Sequence, residues 1–179
     1  ENNPFIKKYA KEGKTTCVYE EGFVTIKKGD WKIRIGKAKD FPITMEGKAK
    51  FMIENVLAAS LACYLYGFAI EDISNSLRTF IPSAQLTPGR LNVFNFKNFK
   101  VLIDFAHNPS GYEAIEDYLK NVESTKKIGI ISGVGDRRDE DIRLCGKIAG
   151  RMFDHIIIRN EKHLRGRTEE EINGLIIEG

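Results

Sequence analysis

Four polar side chains that could bind a ligand lie near one another in the sequence: Arg90, Asp104, His107 and Asn108. Asp104 ends an apolar Val-Leu-Ile run, and His107 and Asn108 follow within four residues. A strand that ends in polar residues and opens into a helix places them where α/β sheets bind ligands. A carboxylate there can accept hydrogen bonds from a ribose diol, and an arginine can bind phosphate through two hydrogen bonds. We therefore expect half of a nucleotide site at this turn.

Each of these residues also has a structural explanation. Asp104 can be a structural carboxylate that meets a partner, because burying an unpaired charge is costly. Asn108 followed by Pro109 is a ready helix start, with asparagine as the cap and proline at the first helical position. His107 can be a packed histidine, and Arg90 can form an ion pair between two domains. The sequence alone leaves both explanations open.

A second charged group follows the next predicted strand, at Gly-Val-Gly-Asp-Arg-Arg-Asp-Glu-Asp over residues 133–141. A glycine-containing loop between a strand and a helix is the context of a phosphate loop. However, the third glycine of a dinucleotide fingerprint is absent, and no G-x-x-x-x-G-K-[ST] motif occurs in the sequence. The candidate substrate-binding residues here and after the following strand are Arg137, Arg138, Asp139 and Glu161. A solvated charge cluster is the alternative, since acidic residues favour a helix amino terminus.

Asn55 is the remaining candidate and lies inside an apolar helix. The stretch Lys48 to Tyr66 is apolar on nearly every side after its first turn, which predicts a helix buried all round. An unsatisfied buried amide costs about 1–3 kcal/mol, so Asn55 would need a partner. Its side-chain amide complements an adenine edge, and an interhelical hydrogen bond is the equally plausible alternative.

The elements that position these residues fall into two groups. Residues 14–44 form three short β-type runs broken at Glu21-Gly22 and Gly29-Asp30, which predicts a meander with Thr25, Lys32 and Arg34 on a solvent-facing side. The helix over residues 48–66 and a second one over 70–80 complete this group. After residue 86, strands alternate with helices of about 10 to 15 residues, which predicts βαβ units. The expected strands are 91–96, 99–105, 127–132 and 155–159, and the expected helices are 109–122, 139–152 and 168 onward.

The predicted fold class is therefore α/β: a Rossmann-like, mostly parallel sheet with flanking helices, preceded by a small β-meander and two helices. The stretch 82–89, rich in proline and glycine signals, interrupts all periodicity and predicts domains at 1–86 and 87–179. Both ends of the sequence read as cut from a longer chain, with residues 1–4 resembling the middle of a loop.

Composition excludes several classes of protein. The chain has 179 residues, 42% of them hydrophobic and 30% charged, which is typical of a globular protein rather than a disordered one. A net charge of +3 does not favour nucleic-acid binding, and the longest apolar run is too short to span a bilayer. Three widely spaced cysteines favour a reducing compartment and no zinc or other metal site. We expect a cytoplasmic protein with no nucleic-acid or membrane partner.

Four motifs occur in order: N-x-L-A-A at 55–59, T-P-G-R-x-N at 87–92, D-F-A-H-N-P at 104–109 and G-D-R-R-D-E-D at 135–141. Together they resemble the Mur ligase superfamily, and within it the cyanophycin synthetase branch, over almost the whole chain. Mur ligases have a central ATPase domain with a P-loop and a Rossmann-like C-terminal domain that closes over the nucleotide. The chain is similar to the end of the first (1–86) and the start of the second (87–179).

The resemblance implies a role for each candidate residue. Asn55 would contact adenine, Arg90 the phosphates or ribose, and Asp104 the ribose, with His107 and Asn108 in the same wall of an ATP pocket. The implied chemistry is phosphorylation of a carboxylate by ATP to an acyl phosphate, which an amine attacks to form an amide. Magnesium would assist, with its ligands mostly outside this chain.

In the cyanophycin synthetase branch the implied partners are arginine and an aspartate-containing polymer, together with upstream domains of the same polypeptide and a possible homo-oligomer. Because the P-loop is absent, we expect no turnover by this chain alone. Two alternatives remain: a ligase for muramyl peptides or folylpolyglutamate, and a non-catalytic Rossmann-like interaction module.

Overall fold

The computed structural model describes residues 3–179, and the chain divides into two compact units, Glu1–Pro88 and Gly89–Gly179. The division falls two residues after the expected boundary at residue 86. None of the helices formed by residues 3–179 combines the length and the apolar composition needed to cross a bilayer.

The first unit contains a short helix, a three-stranded antiparallel meander and two longer helices. These are α1 Pro4–Lys11, β1 Thr15–Glu20, β2 Phe23–Lys28, β3 Trp31–Lys37, α2 Lys50–Tyr66 and α3 Ile70–Thr79. The β1–β2 turn uses Glu21 and Gly22 at φ 51° and 82°, the left-handed backbone that a tight hairpin turn requires. The meander and the two longer helices agree with the elements expected from the sequence.

Helix α1 was not expected, because residues 1–4 read as loop. Asn3 accepts a hydrogen bond from the Phe5 N–H at 2.9 Å, and Pro4 occupies the first helical position. An asparagine cap before proline is a helix-start signal. The same Asn-Pro signal begins helices at Asn3 and at Asn108.

Two burial expectations for the first unit are wrong. Thr25, expected in solvent with Lys32 and Arg34, is fully buried and lies between Val18 of β1 and Arg34 of β3, whereas Lys32 and Arg34 are exposed as expected. Helix α2 is not buried all round, since Leu65 and Tyr66 are 65% and 85% exposed. The buried residues of α2 are Met52, Ile53, Val56 and Ser60. Three short strands and a 10-residue helix offer too little surface to surround a 17-residue helix.

The second unit has the α/β fold expected from the sequence. Its elements are β4 Asn92–Asn95, β5 Lys100–Ile103, α4 Pro109–Lys120, β6 Ile128–Ile131, α5 Asp139–Met152, β7 His155–Ile158 and α6 Glu169–Glu178. Strands β6 and β7 pair in parallel across the crossover helix α5, which makes them a βαβ unit. Strands β4 and β5 form an antiparallel hairpin with Asn92 opposite Ile103.

The helices of the second unit bury one apolar stripe each. Helix α5 packs against both α4 and α6. The buried apolar residues of this core include Tyr112 and Ile115 of α4, Ile142 and Ile148 of α5, and Ile172 and Leu175 of α6. This packing fixes the loops that follow β5, β6 and β7, where the candidate site residues of this unit other than Arg90 lie.

Candidate functional site

The turn before β4 is held by the residues that follow β5. Leu91 is fully buried with φ 50°, and its N–H donates to Asp104 Oδ2 at 2.8 Å. The Phe105 N–H donates to the Gly89 carbonyl at 2.8 Å, and the Gly89 N–H donates to Asn92 Oδ1 at 2.8 Å. The Pro-Gly-Arg-Leu-Asn turn is therefore fixed to the end of β5 by backbone and side-chain hydrogen bonds.

Arg90 lies in the middle of this turn and is exposed. Its guanidinium carbon is 5.6 Å from the centroid of the Phe105 ring, a cation–π contact. Phe105 is itself 62% exposed, so the pair forms a surface where a planar cation is held but remains accessible. This arrangement is compatible with a phosphate-binding arginine.

His107 and Asn108 have defined local partners. Asn108 Oδ1 accepts a hydrogen bond from the Gly111 N–H at 2.8 Å, so the helix-cap explanation is satisfied. His107 Nδ1 lies 2.8 Å from the Phe105 carbonyl oxygen. Because a carbonyl only accepts, Nδ1 is the donor in this hydrogen bond, which leaves Nε2 for another partner. His107 is half-buried and retains one ring nitrogen for another partner.

The loops after β5 and β6 enclose a small cleft, here called the strand-end cleft. It is lined by His107, Tyr112, Ile131, Ser132, Gly133, Val134, Arg137, Asp141, Ile142, Cys145 and Ile176. The structure thus brings His107 and Arg137 into one wall, although they are distant in sequence. The cavity has a volume of about 10 Å³, room for about one water molecule rather than a nucleotide.

The charged residues at the start of α5 differ in their surroundings. Arg138 is exposed and donates through Nε and a terminal nitrogen to the two oxygens of Asp141, both at 3.0 Å. This hydrogen bonding lowers the pKa of the Asp141 carboxyl and raises that of Arg138. Asp139 accepts from Arg167 at 2.5 Å. Arg138 and Asp139 are therefore engaged in ion pairs, as the structural alternative anticipated.

Arg137 is different, because its Nε is buried and has no hydrogen-bond partner among residues 3–179. Glu161, in the loop after β7, accepts a hydrogen bond from the Ser132 hydroxyl at 2.9 Å and pairs with Arg159. Glu161 therefore joins the loops after β6 and β7 instead of standing free in solvent.

Asn55 lies in the first unit, whereas the other candidate residues lie in the second. It is exposed, and its Nδ2 is 3.8 Å from Met52 Sδ on the preceding turn of α2. A sulfur contact at this distance is weak. The expected burial of Asn55 is wrong, and its amide is open to a partner.

Sequence reasoning missed the neutral residues of the strand-end cleft. Burial raises the pKa of Tyr112 to about 12, and burial together with the Asp141 charge raises the pKa of Cys145 to about 11. Both side chains therefore stay protonated at neutral pH and act as apolar walls rather than nucleophiles. The sequence predicted the helix that carries Tyr112 but gave no signal for the cleft.

Residues 3–179 contain no group of three or more His, Cys, Asp and Glu side chains arranged to hold a metal ion. Three carboxylates near the cleft, Asp139, Asp141 and Glu161, are paired with arginines.

Comparison with known proteins assigns the family. The model of the Mur ligase, glutamate ligase domain matches residues 89–178, and the chain therefore belongs to the Mur ligase family. The chain is also 47% identical to a cyanophycin synthetase from Geminocystis herdmanii over 178 residues, which is 99% of this chain and 20% of that protein. The chain thus spans about a fifth of the length of such relatives.

Two other ligases are more distant. A UDP-N-acetylmuramoyl-L-alanyl-D-glutamate–2,6-diaminopimelate ligase from Alkaliphilus oremlandii is 28% identical over 151 residues, 83% of this chain and 29% of that protein. A solved structure of an enzyme with the same name aligns with a TM-score of 0.48 and 18% identity, covering 93% of this chain and 32% of that one.

Proposed function

We propose that the chain is part of an ATP-dependent amide ligase of the cyanophycin synthetase type, which joins arginine to aspartate side-chain carboxylates of a poly-aspartate backbone. The observation that carries the proposal is the 47% identity to a cyanophycin synthetase along 99% of the chain. The diaminopimelate ligase reaches only 28% over a shorter stretch, which favours the first substrate class over muramyl peptides.

In this proposal ATP supplies the phosphoryl group that activates the carboxylate before an amine displaces phosphate. The chain's own residues bind and orient. Arg90, exposed on the Phe105 ring, contacts the phosphates or ribose, and Asp104 contacts the ribose. His107 and Asn108 complete that wall, and Asn55 presents its open amide to adenine. Such transfer depends mainly on positioning and on neutralising developing charge.

The hydrogen bonds that Asp104 and Asn108 already form determine which of their atoms could contact ATP. Asp104 already accepts from the Leu91 N–H through Oδ2, so a ribose would share a carboxylate whose orientation is fixed. A fixed acceptor binds a diol at lower entropic cost than a mobile one. The side-chain oxygen of Asn108 already accepts a hydrogen bond from the Gly111 N–H, so any contact of Asn108 with ATP would come from its side-chain amide nitrogen. Magnesium would depend on ligands that lie mostly outside this chain.

The test is ATP-dependent incorporation of labelled arginine into a poly-aspartate primer by the polypeptide that the complete gene encodes. Asp104→Asn keeps an acceptor for Leu91 but removes the charge, so it tests the ribose contact without breaking the turn. We expect its KM for ATP to rise by about tenfold, the cost of weakening one charged hydrogen bond. Glu123→Ala, an exposed change elsewhere in the second unit, is the matched control.

Each alternative predicts a distinct result. Incorporation of diaminopimelate into a muramyl peptide, with no incorporation of arginine, would replace the substrate class. An absence of ATP-dependent turnover with either acceptor would favour a non-catalytic module. We further propose that the 179-residue chain has no turnover by itself, since it lacks a P-loop motif, and that the protein works in the cytoplasm with other domains of the same polypeptide.

A further inference from the structure

The loops after β6 and β7 are in close contact at Gly135. A Cβ built on Gly135 would lie 1.9 Å from the carbonyl oxygen of Leu164, so the two backbones approach as closely as glycine permits. Leu164 begins a tight turn in which Arg165 and Gly166 have φ 53° and 89°, and the Arg167 N–H donates to the Leu164 carbonyl at 3.1 Å. This turn brings Arg167 back toward the start of α5.

The Arg167 side chain then forms hydrogen bonds that connect the loop after β7 to the start of α5. One terminal nitrogen is 2.5 Å from Asp139 Oδ1, and Nε is 2.7 Å from Glu171 Oε1. The other terminal nitrogen donates to the backbone carbonyl of Arg137 at 3.4 Å. The Arg167 side chain is only 18% exposed, which is low for an arginine, whereas Asp139 and Glu171 are 46% and 47% exposed, so the carboxylates of these pairs face solvent.

The residue held in this way is Arg137. Its N–H donates to the Val134 carbonyl at 3.1 Å, and its carbonyl accepts from Arg167, so both sides of its backbone are fixed. Its side chain lines the strand-end cleft, and its Nε is buried without a hydrogen-bond partner among residues 3–179. A buried unsatisfied donor is costly, and a free loop would rotate it toward water.

We propose that Arg167 is a positioning residue. Its hydrogen bonds to Asp139 and to the Arg137 carbonyl, here called the clamp, hold the loop of residues 133–138 in place. The clamp keeps the unpaired Nε of Arg137 in the strand-end cleft, where the guanidinium binds an anionic group of the substrate. The anion is a carboxylate or a phosphoryl group, which the planar guanidinium binds through two hydrogen bonds. The nature of this substrate rests on the proposed function, whereas the clamp itself does not.

The first test uses the 179-residue chain and no substrate. Amide hydrogen exchange reports the Arg137 N–H, and the Nε–H resonance of Arg137 reports the side chain. In Arg167→Gln we expect the Arg137 amide to exchange roughly tenfold faster and its Nε–H signal to move to the position of solvated arginines. Asp139→Asn, which removes the opposite partner on the surface, should produce the same changes to a smaller extent.

Arg143→Gln is the matched control, since Arg143 pairs with Glu178 at 2.7 Å and also links α5 to α6 but does not touch the loop. Its Arg137 signals should match the wild type. Unchanged Arg137 signals in Arg167→Gln, or equal changes in Arg143→Gln, would overturn the clamp. If Arg167→Gln does not fold, Asp139→Asn decides between the same two results.

The second test uses the complete polypeptide and separates the clamp from the proposed function. Arg167→Gln should raise the KM for one anionic substrate by about tenfold or more and change kcat less, because it disorders a binding group and no reacting atom. A loss confined to kcat would overturn the positioning role. If the wild type shows no ligase turnover at all, the proposed function fails, and the exchange and resonance results still decide the clamp.

Discussion

Leu91 and Asp104 are joined by a hydrogen bond of 2.8 Å from the Leu91 N–H to Asp104 Oδ2, across 13 residues of sequence. Leu91 is fully buried, and its backbone is in the left-handed region with φ 50°. This conformation costs an L-residue with a Cβ atom about 1–2 kcal/mol. The carboxylate offsets that cost by accepting the N–H that the turn directs inward. Asp104 thus has a structural role, whether or not it also contacts a ribose.

Replacing Asp104 should therefore destabilise the second unit. We expect Asp104→Ala to lower the free energy of unfolding by about 1–3 kcal/mol, because it leaves the Leu91 N–H without its charged acceptor. Asp104→Asn should lower it by less than about 1 kcal/mol, since the amide oxygen still accepts. Urea unfolding followed by far-UV circular dichroism measures both. Glu123→Ala should stay within about 0.5 kcal/mol of wild type. Equal losses in the two Asp104 variants would contradict the hydrogen-bond explanation.

The part of this site that is local in sequence was predictable. The cap at Asn108, a strand before the turn at Asp104 and the alternation of strands with helices all follow from short patterns, and the structure shows each of them, although the strand expected at 99–105 spans only Lys100–Ile103. These features depend on neighbours within a few residues, where backbone preferences and periodicity act. The ligand-binding roles of the site residues stay predictions.

The part that depends on distant contacts was not predictable. Asn55 was expected to be buried because α2 is apolar on most sides, but burial depends on what covers a helix, and composition does not specify that. Arg167 contacts Asp139 across 28 residues, through a turn at Arg165 and Gly166 that no apolar period marks. A glycine such as Gly135, in the loop between β6 and α5, indicates that another part of the backbone can approach closely. The sequence could not identify Leu164 as the residue that does so.

Acid stability of the first unit should depend on Glu20. Its carboxyl is only 6% exposed, and Lys27 donates to it at 2.9 Å. The Lys27 hydrogen bond, aided by the charges of Lys27 and Lys32, holds the Glu20 pKa below its ordinary value although burial opposes this. A lowered folded-state pKa gives stability that is present above the unfolded value of about 4.3 and is lost as the pH falls through the folded value.

The measurement can be confined to the first unit, because Trp31 is the single tryptophan and lies on β3 beside Lys32. We expect the fluorescence-detected stability of wild type to exceed that of Glu20→Gln at neutral pH and the two to converge as the pH falls through the lowered pKa of Glu20. A stability difference that stays constant over that range would show that Glu20 does not titrate with folding. Glu54→Gln, an exposed carboxylate on α2, is the control.

Two glycines on α5 should respond in opposite ways to the same substitution. A Cβ on Gly146 would lie 2.1 Å from the carbonyl oxygen of Ile176 on α6, whereas a Cβ on Gly150 would meet nothing within 4 Å. Gly146→Ala should destabilise by about 1–3 kcal/mol, because rigid backbone must move. Gly150→Ala should stabilise by up to about 1 kcal/mol through helix propensity. Urea unfolding of the two variants is the test, and a neutral Gly146→Ala would contradict the close packing of α5 on α6.

Cys17, which is buried, and Cys145, which is half-buried, should resist alkylation while the chain is folded. Burial raises the pKa of Cys17 to about 12, and burial with the nearby Asp141 charge raises that of Cys145 to about 11. Only the thiolate reacts, and at pH 8 a thiol with a pKa of about 11 is ionised in roughly one molecule in a thousand. We expect iodoacetamide to modify both cysteines at least about 100-fold more slowly in the native chain than in guanidinium, as followed by mass spectrometry of their peptides. Because Cys145 lines the strand-end cleft, a Cys145 that reacts at the unfolded rate while Cys17 stays protected would show that the cleft opens to solvent without unfolding of the first unit.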